Sequence, residues 1–221
     1  VGHVTDDALF FSSQLGIITG LATETRLAER MSKTVFCTGG RPDMAAFYAE
    51  RLIAAGSTGL MSFGIAGGLQ PGLPPGTLIV ADEIVTDDGR YPAMSNCAKA
   101  ARARTGIIYG GTEIVATAAE KAELAARTGA LAVDLESGAV ARVAAAAGIP
   151  FIALRAIADP AERNLPPAAL LHLTPKGQPR IMAVLWSILK KPGQIPDLME
   201  VARDTKTALE GLRKARRRLA R

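Results

Sequence analysis

The feature that most constrains this 221-residue chain is an alternation of short apolar runs with alanine-rich stretches of helical spacing. The runs are LGIITG (15–20), TGLMSFG (58–64), TLIVADEIV (77–85) and IPFIALRAI (149–157). Each is too short for a core helix and is bounded by turn residues, so each reads as a buried strand. Helices are expected between them over 43–55, 116–127 and 137–147, with Gly56 and Gly148 placed where a helix stops. Strand–helix alternation favours an α/β fold, a three-layer α/β/α arrangement around a mixed, largely parallel central sheet. Ligands in such sheets bind beyond the carboxyl ends of the strands. That directs attention to the glycine-bearing turns at TGLATE (19–24), TGGRP (38–42) and GIAGG (64–68).

Composition removes several classes. Hydrophobic residues make up 48% of the chain, yet no run of about 18 or more uncharged apolar residues occurs, so no spanning helix is expected. The first fourteen residues lack the basic start, apolar stretch and cleavage site of a secretory leader. Cys37 and Cys97 make no disulfide framework, and with His3 and His172 they lack metal-ligand spacing. A cytoplasmic protein without metal or cofactor is expected. From Lys176 onward stand 12 basic and 4 acidic residues, against 14 and 17 before it. This reads as a basic tail on a mildly acidic body, not as a nucleic-acid-binding core. Prolines cluster after Pro160, and 181–191 and 198–221 read as amphipathic helices. The expected organisation is one domain over 15–221 with a C-terminal helical extension, preceded by a segment at 1–14.

Three acids stand at strand ends or helix starts: Glu24 after the first strand, Glu136 in VDLESGAVA (133–141), and Asp159 closing FIALRAIAD (151–159). The ordinary alternative for each is a solvated or capping carboxylate, since acids are favoured near helix N-termini. A dinucleotide-binding reading fails because TGLATE lacks the G-x-G-x-x-G pattern.

Taken together, GIITGLATE (16–24), FGIAGG (63–68), GTLIVADE (76–83), VDLESGAVARVA (133–144) and IPFIALRAIAD (149–159) resemble the purine nucleoside phosphorylase/nucleosidase superfamily. The methylthioadenosine/S-adenosylhomocysteine nucleosidase branch is the most similar. The resemblance implies cleavage of the bond between a purine and ribose. It makes Asp159 the acid that protonates N7 of the leaving base, a task that needs a carboxyl with a raised pKa. Arg155 would orient that acid or steady an anionic co-substrate. Glu136 would accept hydrogen bonds from the ribose hydroxyls with Leu135 packed on the sugar, and Glu24 would activate water. Homo-oligomers are usual in the family, and the resemblance implies one here.

The chain departs from the hydrolytic branch at Ile65 and Ala158, where serines are usual. Ile114, followed by Val115, stands at the position that commonly faces the purine with an aromatic ring. All these changes are towards apolar character. RAIADPAERNLPPAAL (155–170) and KKPGQIPDLMEVARDTKTA (190–208) are similar to the hopanoid-associated phosphorylase-like proteins, which implies adenosylhopane, a lipid-linked nucleoside, as substrate. An apolar helix with Trp186 and Leu189, followed by KARRR (214–218), would then make peripheral contact with the inner membrane face. Hydrolysis is expected over phosphorolysis. The latter would need a phosphate cradle, for which Gly20, Gly39, Gly40, Arg41 and Arg26 are the candidates. A nucleoside-binding protein without activity is the remaining alternative.

Overall fold

The computed structural model describes residues 14–170, 174, 176–178, 187 and 190–220. Trp186, Leu189 and most of the expected helix 181–191, together with His3 and His172, lie outside the described residues.

Each expected strand carries apolar residues on both faces, because successive side chains point to opposite sides of a sheet. In β1 (Leu15–Thr19), Ile17 joins one core and Ile18 the other. The same split divides Met61 and Phe63 from Leu60 in β3 (Gly59–Gly68), and Val80 from Ile79 and Ala81 in β4 (Leu78–Val85). In β8 (Phe151–Asp159) it divides Ile152 and Leu154 from Phe151 and Ala153. On the first side the sheet is covered by α1 (Ala22–Ala28), α3 (Ala98–Ala101) and α6 (Ile195–Leu219). The other side is covered by α2 (Pro42–Ala54) and α5 (Ser137–Ala147). A third, smaller core lies under α4 (Ala118–Thr128). The three-layer α/β architecture is the one expected.

The remaining strands are β2 (Thr34–Cys37), β5 (Arg90–Pro92), β6 (Arg104–Gly110) and β7 (Ala132–Asp134). The sheet runs β2-β1-β3-β7-β6-β4-β5, and β8 pairs with both β3 and β4. Strands β3, β7, β6, β4 and β8 therefore close on themselves, with β1 and β2 extending from one side and β5 from another. The pairs β3–β7, β4–β5 and β4–β8 are antiparallel and the other five are parallel, so the sheet is mixed.

Two expectations require correction. GIAGG (64–68) is not a turn: it is the end of β3, held extended between β8 and β7. Residues 22–24, read as part of a glycine turn, instead open helix α1. Smaller shifts have local causes. Helix α4 begins at Ala118 because Thr117 and Glu120 form a reciprocal cap at its start, Thr117 Oγ1 accepting from the Glu120 N–H. Gly148 ends α5 in the left-handed conformation, at φ 65°.

Helix α6 spends its apolar stripe on the protein itself, burying Ala208, Leu212, Ala215 and Leu219 against the first core. Arg218 donates to the Ala101 carbonyl at 2.9 Å, while Arg213, Lys214 and Arg217 face outward. Among the described residues no helix is long and apolar enough to cross a membrane.

Candidate active site

Strand β1 ends at Thr19, and the chain turns through Gly20 into α1, whose first turn carries Glu24. Glu24 Oε2 accepts hydrogen bonds from the N–H groups of Gly20 at 2.9 Å and Leu21 at 2.8 Å, so it caps its own helix. The capping role open to any acid near a helix start is thus real here. The other oxygen goes beyond it: Oε1 accepts from the Ile65 N–H on β3 at 2.8 Å, and the side chain is buried. Burial holds the Glu24 carboxyl above its usual range, while nearby Arg155 and the three backbone donors pull against that rise.

Arg155 lies midway along β8, fully buried. Its Nε ion-pairs with Asp134, and its Nη2 donates to Ser62 Oγ at 2.5 Å and Ser137 Oγ at 3.1 Å. Glu136 Oε2 stands 3.4 Å from the same Nη2. Burial works against this guanidinium charge, but Asp134, Glu136 and Glu24 outweigh it and hold the Arg155 pKa above its ordinary value. Glu136 precedes α5, and its carboxyl is pushed up to about 7, first by burial. Arg155 opposes that rise, while Asp134 and Glu24 add to it. Asp134 accepts from the Ser137 N–H at 2.9 Å, which ties the end of β7 to the start of α5.

Glycines make the cluster possible. A methyl group on Gly20 would sit 2.6 Å from Glu136 Oε1, and one on Gly64 would sit 2.5 Å from Arg155 Nη1 and 2.7 Å from Glu24 Oε1. Real Cβ atoms do not approach that closely, so Gly64, which opens the GIAGG segment, serves to leave room beside charged groups and not to make a turn.

Asp159 is reached through a bulge. Register between β3 and β8 runs Ala66 to Ile157 and then Gly67 to Asp159, passing over Ala158. Bulges of this kind re-aim the side chain that follows. Asp159 Oδ2 pairs with Lys121 Nζ at 2.5 Å, and Oδ1 is buried with no hydrogen-bond partner among the described residues. Burial raises the Asp159 pKa, against the lowering influence of Lys121 and Arg163.

The structure brings Glu24, Glu136 and Arg155 into one cluster, with Gly20 between the two glutamates. Asp159 is attached through β3: Ile65 bonds Glu24, and two residues on, Gly67 lies opposite Asp159. Asp159 makes no hydrogen bond or ion pair with the cluster among the described residues. Thr38 Oγ1 lies 3.4 Å from Glu136 Oε1 and accepts from the Gly40 N–H, so the Gly39–Gly40 loop borders the cluster. Arg41 turns away from it to pair with Asp43 at 2.5 Å on the surface, and Arg26 is exposed. Leu135 and Ile65 are half-buried. Ile114, exposed, and Val115 line a separate groove of about 520 Å³ with Asp87, Tyr109 and Arg127.

Sequence reasoning passed over Asp134, Ser62, Ser137, Thr38 and Lys121. For Lys121 a signal was present: it occupies the first position of the stripe Lys121, Leu124, Ala125 and Thr128, all buried on one face of α4.

Residues 18–190 match the family model of the Phosphorylase superfamily, and the chain belongs to that family. Futalosine hydrolase from Streptomyces coelicolor is 37% identical over 125 residues, covering 46% of this chain and 53% of that protein. The chain thus spans about half the length of this curated relative. Among solved structures, 5′-methylthioadenosine/S-adenosylhomocysteine nucleosidase from Neisseria meningitidis, in complex with methylthio-immucillin-A, superimposes with a TM-score of 0.69 at 17% identity, covering 93% of this chain and 97% of that one. Futalosine hydrolase of Helicobacter pylori gives 0.63 at 17% identity, covering 91% and 96%. These likenesses establish the fold.

Proposed function

We propose that this protein hydrolyses the N-glycosidic bond of a purine nucleoside. The observation that carries the reading is the setting of Gly20, whose N–H donates to Glu24 at 2.9 Å while its Cα faces Glu136 closely enough to exclude a methyl group. Two buried carboxyls from distant parts of the chain thereby flank one backbone turn at a strand end. In this reading Glu136 accepts hydrogen bonds from the ribose hydroxyls, and these bonds strengthen as the ring gains positive charge. Glu24, whose ionised form Arg155 and the backbone donors favour against its burial, takes a proton from the attacking water. Asp159 gives a proton to N7 of the departing base. Similarity to hydrolases named for futalosine and for 5′-methylthioadenosine/S-adenosylhomocysteine supports a nucleoside substrate.

Hydrolysis is favoured over phosphorolysis by charge. Arg155 is enclosed by Asp134, Glu136 and Glu24, and Arg41 is occupied by Asp43. A phosphate dianion would meet more negative than positive charge beside Glu24. The apolar residues Ile65 and Ala158, with the similarity of 155–170 and 190–208 to hopanoid-associated proteins, support an adenosine with an apolar 5′ substituent, adenosylhopane being the proposed case.

The test is base release from adenosine, 5′-methylthioadenosine, futalosine and adenosylhopane, each with and without phosphate. Free ribose products at a phosphate-independent rate are expected, with adenosylhopane the best substrate. Asp159→Asn should lower kcat by about 10²–10⁴-fold, the span of general acid catalysis. A ribose-1-phosphate product would overturn the hydrolytic reading, and inertness on all four substrates would overturn the enzymatic one.

A further inference from the structure

The side chain of Lys121 is fully buried in α4, and each of its three ammonium protons has an acceptor. They are the Pro160 and Arg163 carbonyls, both at 2.9 Å, and Asp159 Oδ2 at 2.5 Å. Three acceptors around one ammonium satisfy it completely. A buried lysine with that arrangement does more than fill space, because a lysine is among the residues least often buried without a partner. Two of its bonds tie down the chain on either side of Ala161 and Glu162, directly after the strand that ends in Asp159. The third leaves Asp159 with one oxygen occupied and one, Oδ1, buried and without a hydrogen-bond partner among the described residues.

We infer that Lys121 is the positioning residue for Asp159, holding Oδ2 so that Oδ1 is the atom presented to the leaving base, and that its charge sets whether this oxygen donates a proton or only accepts one. The inference rests on the reading of Asp159 as proton donor. A cation 2.5 Å from a carboxylate favours the ionised form. Burial of the same group favours the protonated form, and burial is the stronger influence at Asp159. Lys121 thus keeps the carboxyl from holding its proton indefinitely: it yields the proton to the base and is left as a carboxylate paired with the ammonium. The other charges facing Asp159 are Arg163, which opposes protonation, and Asp204 on α6, which favours it. Arg163 is itself engaged by Asp204 and by Glu200 at 3.3 Å, so much of its influence is spent on α6. Lys121 is the cation in direct contact.

The experiment follows the Asp159 carboxyl by carbon NMR of aspartate-labelled protein, its signal assigned by its loss in Asp159→Asn. Titrations are compared for the unaltered protein, Lys121→Met and Lys121→Gln, alongside pH profiles of base release from the best substrate found above. Removing the cation should raise the Asp159 midpoint by at least about one pH unit, the size of shift a close opposite charge produces. The alkaline limb of kcat should move upward with it, so that the variants retain activity at pH values where the unaltered protein has lost it. The use of two replacements, one apolar and one polar, guards against a packing defect, and circular dichroism checks that each folds. An unmoved midpoint in either folded variant overturns the inference, and so does a moved midpoint with an unmoved kcat limb. If the midpoint rises while no protein in the series releases base, the charge-setting role of Lys121 stands and the proposed activity is what fails.

Discussion

Two buried charge clusters stand within a few residues of each other on β8, and they are built on opposite principles. Around Arg155, three carboxyls share one guanidinium, and the hydroxyls of Ser62 and Ser137 complete the set. Around Asp159, one carboxyl meets one ammonium, and among the described residues its other oxygen has no hydrogen-bond partner. In the first, burial holds both Glu24 and Glu136 towards the protonated side, and for Glu136 the neighbouring carboxyls of Asp134 and Glu24 add to it. The second is balanced, which leaves its free oxygen able to change protonation without stranding a partner. The difference suits the proposed division of labour, in which the crowded cluster would match positive charge developing on a sugar ring and the balanced pair would handle a proton.

The comparison can be broken most forcefully at Arg155. Arg155→Met strands Asp134, Glu136 and Glu24 in the interior, and removal of one partner from a buried ionic group costs about 3–5 kcal/mol. Urea unfolding should show a loss of that order, larger than for Lys121→Met, whose carboxylate also faces Arg163. Equal losses at the two positions would erase the distinction. A smaller effect is expected from Gly20→Ala, which forces a methyl group to within 2.6 Å of Glu136 Oε1. Overpacking of this kind costs about 1–3 kcal/mol. It should displace Glu136 and weaken substrate binding, while the Asp159 titration stays where it was; a shifted Asp159 midpoint would mean that the two clusters are one. The mildest change sharpens the electrostatics of the crowded side. Glu136 has a folded-state pKa of about 7 against an ordinary 4.5, so the folded chain binds more protons than the unfolded chain between those values. Its contribution to stability is therefore present at low pH and lost as pH rises through that window. Glu136→Gln, which cannot ionise, should therefore raise Tm at pH 8. The gain should fade as pH drops below 4.5, the ordinary value, and a pH-independent difference would count against a strained carboxylate.

Much of the scaffold was legible in the residues. The runs that became β1, β3, β4 and β8 are apolar on both faces, so no alternative to burial exists for them. Helix α5 occupies the predicted 137–147 because glycine and alanine spacing mark it clearly. Strands β2, β5 and β7 escaped notice because three or four residues carry no periodicity, and β6 begins with the polar pair Arg104 and Thr105. The GIAGG segment was misread because glycine signals a turn in isolation, whereas here its small size serves Arg155 and Glu24 across the sheet. Arg41 and Ile114 were proposed from the resemblance, and the sequence held no sign of their neighbours in space, Asp43 for the one and the lining of the 520 Å³ groove for the other.

By itself, then, the amino-acid order settled the layers, since hydrophobic periodicity is a local property, and its resemblance to a known superfamily nominated Glu24, Glu136, Arg155 and Asp159. Only the folded chain decided which of them share a charge. Burial, a one-residue bulge at Ala158 and the arrival of Lys121 from a separate helix set the proton affinities, and each depends on contacts between segments far apart in sequence. Electrostatic energy falls with distance in space and with access to water, and neither quantity is written in the linear order.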